Sequence, residues 1–116
     1  MEYFKEKFSL EKRIEESERI LEKYPDRIPV IVEKNIQCNE LDDIDRNKYL
    51  VPKDLTYGQF IYIIRKRLKI SPNQALFIFC DSILYNNNIS MNEIYQTSKD
   101  DDGYLYMLYT CENTFG

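Results

Sequence analysis

The sequence predicts an α+β domain in which helices precede a mixed sheet and then pack on it. Three observations carry the prediction. Helix-start signals stand at Ser9, at Thr56 with Gln59 and at Ser90 with Glu93. Runs rich in β-branched and aromatic residues, RIPVIV (27–32), LFIFC (76–80) and YLYMLYT (104–110), read as strands. The helical and strand signals alternate along one chain of 116 residues, a length that fits a single domain with a genuine core.

Behind the Ser9 cap, residues 10–23 place Leu10, Ile14, Ser17 and Leu21 on one helical face, which is expected to pack on the body. Ile20 lies about 100° around the helix from Leu21, at the flank of that stripe beside Glu16. It reads equally as an ordinary boundary residue or as the lining of a surface pocket. Pro25 ends the helix. The almost continuously apolar RIPVIV is then expected to be a central strand buried on both sides. A polar loop at 35–47 leads to a short strand at 48–51, and Pro52, which cannot donate to a ladder, argues for an edge position. Thr56 and Gln59 open a helix at 57–68, LFIFC is the third strand, Ser90 and Glu93 open a short helix at 91–97, and YLYMLYT closes the domain. On this last strand Tyr104, Tyr106 and Leu108 face one side, with Leu105, Met107 and Tyr109 facing the other. Two N-terminal helices followed by two antiparallel strand pairs joined through a helical crossover describe the β-grasp, or ubiquitin-like, arrangement.

Composition narrows the chemistry. There is no histidine, which removes Ser-His and Cys-His nucleophile activation and the commonest zinc ligand; no metal or cofactor is expected. With only Gly58, Gly103 and Gly116 there is no glycine-rich phosphate loop, and no paired carboxylates form a recognisable motif, so an enzyme is the weakest reading. Twenty acidic against sixteen basic residues give a net charge of -4, which speaks against nucleic acid as a partner. Arg65, Lys66, Arg67 and Lys69 are the local basic exception, read as a solvated helix face. No apolar run approaches the ~20 residues that cross a bilayer, and MEYFKEKF is charged where a signal peptide is greasy. Three widely spaced cysteines, Cys38, Cys80 and Cys111, fit reduced thiols in a cytoplasmic compartment.

The chain ends on Gly116. A glycine carboxylate beyond a final strand suits a protein whose own end is the reactive group, because a backbone without Cβ threads a narrow enzymatic channel.

Particular motifs now coincide. KYPDRIPVIVEK (23–34), KYLVPKDLTYGQFIYIIRKR (48–67), ALFIF (75–79), DDGYLYMLY (101–109) and ENTFG (112–116) closely resemble autophagy-related protein eight and its relatives, the GABARAP and microtubule light-chain-three proteins. The resemblance covers nearly the whole chain in order. It implies an N-terminal helical extension (1–23), a ubiquitin-like domain (24–110) and a conjugation tail (111–116). It further implies that Gly116 is activated by an E1-like enzyme, passed to an E2-like enzyme and joined to the amine of phosphatidylethanolamine on autophagic or organelle membranes, from which a deconjugating cysteine protease releases it. The chain itself has no catalytic role in this reading.

The resemblance also implies capture of short aromatic-x-x-aliphatic peptides from cargo receptors, added as a strand to the edge at 48–51. Carried over residue by residue, the aromatic pocket is Glu16, Ile20, Pro29, Ile31, Lys48, Leu50 and Tyr104, and the aliphatic pocket is Tyr49, Val51, Pro52, Leu55, Phe60 and Ile63. Arg27, Arg46 and Arg67, with Lys48, would meet acidic residues flanking the peptide. Without the resemblance most of these positions read as plain core. A non-conjugated trafficking or cytoskeletal tether is the competing reading, and Gly116 separates the two, since a tether has no need of it.

Departures from the family pattern are also visible. Tyr85 and Asn86 stand where two prolines are frequent, so the loop after the third strand is expected to be less rigid. Thr97 and Ser98 replace a common Glu-His pair. Tyr104 stands where phenylalanine is usual and brings a hydroxyl to the aromatic pocket.

Overall fold

The computed structural model describes residues 2–112. Its elements in order are α1 (Phe4–Lys7), α2 (Leu10–Lys23), β1 (Arg27–Lys34), β2 (Lys48–Pro52), α3 (Tyr57–Leu68), β3 (Phe77–Phe79), α4 (Met91–Ser98) and β4 (Leu105–Thr110). The sheet order is β2-β1-β4-β3, antiparallel at both outer pairs and parallel between β1 and β4. This is the β-grasp with two additional N-terminal helices.

The helix-start signals act as written. The Ser9 hydroxyl accepts from the Lys12 N–H, and Thr56 and Gln59 satisfy one another's backbone donors as a reciprocal box. Ser90 accepts from the Glu93 N–H. At the other end of α3 the chain turns through Lys69 in the left-handed region (φ 56°), with Arg65, Lys66 and Arg67 in the last turn, where cations complement the helix dipole. Part of the basic cluster is structural, because the Arg65 guanidinium donates to the carbonyls of Ser71 (3.1 Å) and Gln74 (2.8 Å).

β1 is central, as its apolar run requires, and it divides its side chains between two different environments. Ile28, Val30 and Val32 join Leu105, Met107, Tyr109 and Ile78 of the sheet, Tyr57, Phe60 and Ile64 of α3, and Met91, Ile94 and Tyr95 of α4 in the main core. Ile31 lies on the other side with Phe4 and Tyr104, and with Ile20 and Tyr106 packed around them. Pro29 is tolerated in a central strand because pairing with β4 begins only at Val30, so Pro29 has a neighbouring strand on one side.

The structure corrects several local expectations. Leu10, placed on the packing face of α2, is half exposed, and contact with the body is made from Arg13, Ile14 and Ser17 onward. Leu76 and Cys80 fall outside the third strand; Cys80 instead bridges to Ile83 in a tight turn. In the loop after the third strand, Tyr85 packs edge-on against Tyr57 at 5.9 Å and its hydroxyl meets that of Ser98 at 3.3 Å, while Asn86 Oδ1 accepts from the Asn88 N–H at 2.8 Å.

Candidate functional site

β2 ends the sheet. It pairs with β1 in a register that sets Lys48 opposite Ile31, Tyr49 opposite Val30, Leu50 opposite Pro29 and Val51 opposite Ile28. Residues directly opposite share a face. Lys48 and Leu50 therefore look toward the N-terminal helices, and Tyr49 and Val51 look toward α3. A groove of about 700 Å³, lined by Asp45, Arg46, Asn47, Lys48, Tyr49, Leu50 and Arg67, lies along this edge. An edge strand with an open flank is a template for a further strand, with the side chains on its two faces available to read alternate residues of the visitor.

On the α2 side the geometry is set by one carboxylate. Glu16 accepts from the Lys48 ammonium and from the Tyr104 hydroxyl. Burial acts to raise the Glu16 carboxyl, but these two hydrogen bonds and the charge of Lys48 outweigh it and hold the group below its ordinary value. Burial, and then the Glu16 carboxylate, push the Tyr104 hydroxyl far above its usual range, so it remains a donor. Lys48 also lies 5.3 Å from the centroid of the Phe4 ring and 6.0 Å from that of Tyr104, within cation–π reach of both.

Phe4 was not foreseen. It packs edge-on against Tyr104 at 5.3 Å and leaves Ile31 and Tyr104 with no exposed surface, itself only 5% exposed. Of the residues assigned to the aromatic pocket, Glu16, Ile20, Lys48 and Leu50 are partly exposed, while Pro29, Ile31 and Tyr104 are sealed beneath them. α1 is fixed there by the buried Glu33 carboxylate, which accepts from the Phe4 N–H at 2.6 Å, and by the Tyr3 hydroxyl, which donates to the Lys34 carbonyl at 2.8 Å. Burial raises the Glu33 carboxyl above its ordinary value, with the Phe4 N–H partly offsetting the rise. The only sequence signal for this plug was a pair of phenylalanines, Phe4 and Phe8, one helical turn apart in a charged segment.

On the α3 side Tyr49 packs edge-on against Phe60 at 5.9 Å, over a floor made by the buried Val51 and Phe60. Leu55 is half-buried, and Pro52 and Ile63 are exposed. The Tyr49 hydroxyl is buried without a hydrogen-bonding partner among the described residues, and burial raises its pKa. A polar atom in that position gains a partner if an incoming chain supplies one.

The flanking cations are held to different degrees. Arg27 reaches the Leu50 carbonyl only at 3.4 Å, and Arg46 is exposed. Arg67 pairs with Asp45 at 2.8 Å on the open surface, and that bond lowers the Asp45 carboxyl. Exposed pairs of this kind exchange partners at little cost. Among the described residues no group of three potential metal ligands comes together, and no helix is long and apolar enough to cross a membrane. Gly116 lies outside the described residues.

A family model described as "Autophagy protein Atg8 ubiquitin like" matches residues 12–116. The chain is 58% identical over 113 residues to Autophagy-related protein 8 of Schizosaccharomyces pombe, covering 97% of this chain and 93% of that one. Identity is also 58% to Autophagy-related protein 8d of Arabidopsis thaliana, with the same coverage. It is 55% to Autophagy-related protein 8 of Coccidioides immitis, over 97% of this chain and 96% of the relative. With β-grasp topology, two N-terminal helices and similarity along almost its whole length, the chain belongs to the Atg8 family of ubiquitin-like autophagy proteins.

Proposed function

We propose that the chain is a modifier and adaptor without catalytic activity of its own, attached through Gly116 to phosphatidylethanolamine. The observation that carries this reading is the edge strand β2. Its two faces present chemically different sides, one bordered by the Lys48–Glu16 pair and the other floored by Val51 and Phe60. That arrangement suits a short extended peptide with one aromatic and one aliphatic anchor, bound with the micromolar-scale affinity of small interfaces with few anchors. Arg27, Arg46 and Arg67 would meet the acidic flanks of such a peptide.

The tail carries the second half of the reading. E1-like and E2-like enzymes would pass the Gly116 carboxyl through thioesters to the lipid amine, and a cysteine protease would reverse the attachment. Two acyl chains, each buried CH₂ contributing ~0.8 kcal/mol, would hold a chain with no spanning helix among its described residues on a membrane. The protein would therefore divide its time between the cytoplasm and autophagic or related organelle membranes.

Reconstitution tests this directly. The chain is incubated with E1-like and E2-like enzymes, ATP and phosphatidylethanolamine liposomes, and the product is weighed by mass spectrometry. A lipid adduct on Gly116, absent when Gly116 is deleted, is the expected result. An adduct on the deletion variant, or none on the full chain with a positive control running, overturns the reading.

A further inference from the structure

The three cysteines separate into a solitary thiol and a pair. Cys80 follows β3 in the main core, where burial pushes its thiol up to about 11, the Asp81 carboxylate adding to the rise. Such a thiol is inert at neutral pH. Cys38 and Cys111 come from distant parts of the chain and meet. The parallel register sets Lys34 beside Tyr109, and the Asn35 N–H donates to the Tyr109 carbonyl at 2.8 Å. There the chain turns back: the Cys38 N–H donates to the Asn35 carbonyl at 2.9 Å, and Asn35 Oδ1 accepts from the Gln37 N–H at 3.0 Å. Tyr109 holds the far side of this loop, its hydroxyl donating to the Asp42 carbonyl.

This turn sets Cys38 against Cys111, the residue that follows β4. Both belong to the main cluster, 3% and 8% exposed. Their thiols interact directly, and the Glu40 backbone amide faces both sulfurs. The amides of Leu41 and of Cys111 itself also face the Cys38 sulfur. Burial acts to raise the Cys38 thiol, but the bond from the Cys111 thiol and the surrounding amides outweigh it and hold the group below its ordinary value. That same bond, with burial, raises the Cys111 thiol. A thiol held below its ordinary value beside one held above it points to Cys38 as the attacking and Cys111 as the resolving sulfur of such a pair.

We propose that Cys38 and Cys111 form a reversible dithiol–disulfide site whose oxidant is a hydroperoxide. The Cys38 thiolate attacks an oxygen of the hydroperoxide, the O–O bond breaks, and the departing oxygen takes a proton to leave as alcohol, or as water when the oxidant is hydrogen peroxide. The sulfenic acid left on Cys38 is attacked by the Cys111 sulfur. The S–O bond breaks, and the hydroxide leaves with the Cys111 proton as water. Two thiols and one hydroperoxide thus yield one disulfide, one alcohol and one water, and a reducing dithiol restores the pair by exchange. The bond ties the loop at 35–47 to the point where the chain leaves β4, immediately before residues 112–116. Reversible oxidation of this kind is compatible with a compartment that keeps resting thiols reduced.

The test uses the intact folded chain. After exposure to hydrogen peroxide at neutral pH, the chain is unfolded in the presence of the alkylating reagent so that every free thiol is blocked, then digested, and peptides are mapped by mass spectrometry. Alkylatable thiols should fall from three to one, with the Cys38 peptide joined to the Cys111 peptide and all three thiols recovered by dithiothreitol. Cys80→Ser should form the same link at the unaltered rate, and Cys38→Ser should leave Cys111 alkylatable. Three alkylated thiols after treatment that oxidises free glutathione, a link involving Cys80, or sulfinic acid on Cys38 with Cys111 still alkylated would each overturn the proposal. The unsubstituted chain alone decides the outcome, whatever the variants do to folding.

Discussion

The two faces of the sheet are built on different principles. Facing α3 and α4, Ile28, Val30, Val32, Leu105, Met107 and Tyr109 meet apolar partners in one continuous core. Facing the N-terminal helices, the apolar cluster is only Phe4, Ile31 and Tyr104 with Ile20 and Tyr106 at its margin, and polar bonds do the rest. Asp102, fully buried, accepts from Arg13 at 2.6 Å, from the Tyr106 hydroxyl and from the Tyr104 N–H at 2.9 Å. The Ser17 hydroxyl donates to the Asp102 carbonyl, and Gly103 beside it adopts a φ of 91°, where a Cβ would stand 2.4 Å from the Ser17 oxygen. One face is held by burial, which is indifferent to pH and salt. The other is held by charge and geometry, which are not, and Glu16, Ile20 and Lys48, the residues proposed to face a peptide, belong to it.

The sharpest way to break this contrast is to cut each face at its centre. Phe60→Ala is expected to cost about 3–5 kcal/mol, with little dependence on ionic strength. Asp102→Ala should cost a comparable about 3–5 kcal/mol, because it leaves the Arg13 guanidinium, 11% exposed, without its counter-charge. Urea titrations at low and high salt measure both. Equal salt dependence for the two variants would erase the distinction.

A smaller effect sharpens it. Tyr104→Phe removes one bond to Glu16 and should cost about 1–2 kcal/mol. It also frees a carboxylate beside the aromatic side of the edge, so the preference among Trp, Tyr and Phe anchors should shift. Calorimetry with three peptides differing only at that anchor reads it, and unchanged affinity ratios would mean that the hydroxyl serves packing alone.

The two carboxyls of the outer face should leave opposite signatures in pH. Glu16 is lowered in the folded state, so its contribution is complete above the usual carboxylate range and is lost as pH falls through the lowered value. Glu33 is raised, so its contribution is complete below the usual range and is lost as pH rises through the raised value. Glu16→Gln should flatten the acid limb of the stability profile, and Glu33→Gln the limb just above it. Thermal melts across pH decide, and identical profiles for both variants would contradict the assignment.

Arg67→Ala should be the mildest change in stability, since its pair with Asp45 is exposed. Its expected effect is on association with acid-flanked peptides, visible in the salt dependence of binding.

What the sequence made legible follows from local rules. Ser9, Thr56 and Ser90 mark helix starts because capping is decided within four residues, and Pro52 betrays the edge because a missing N–H cannot pair. The alternation of 104–109 separates the two faces correctly, since the period of a strand is geometric. What was not legible depends on encounters between distant segments. α1 is four residues long and is fixed by Glu33 and Lys34 of β1 rather than by its own propensity. For that reason the plugging of Ile31 and Tyr104 by Phe4 could not be read from either segment alone. The meeting of Cys38 with Cys111 is of the same kind, created by the parallel register of β1 and β4.

The most direct test of the peptide-capture account is an amide chemical-shift titration of the labelled chain with a short peptide bearing an aromatic residue and, three positions later, an aliphatic one. Saturable shifts centred on residues 48–51 are expected, reaching Glu16 and Phe4 on one side and Phe60 on the other, and abolished when Tyr49→Ala and Leu50→Ala are combined. Shifts confined to another surface, with residues 48–51 unmoved, would contradict it.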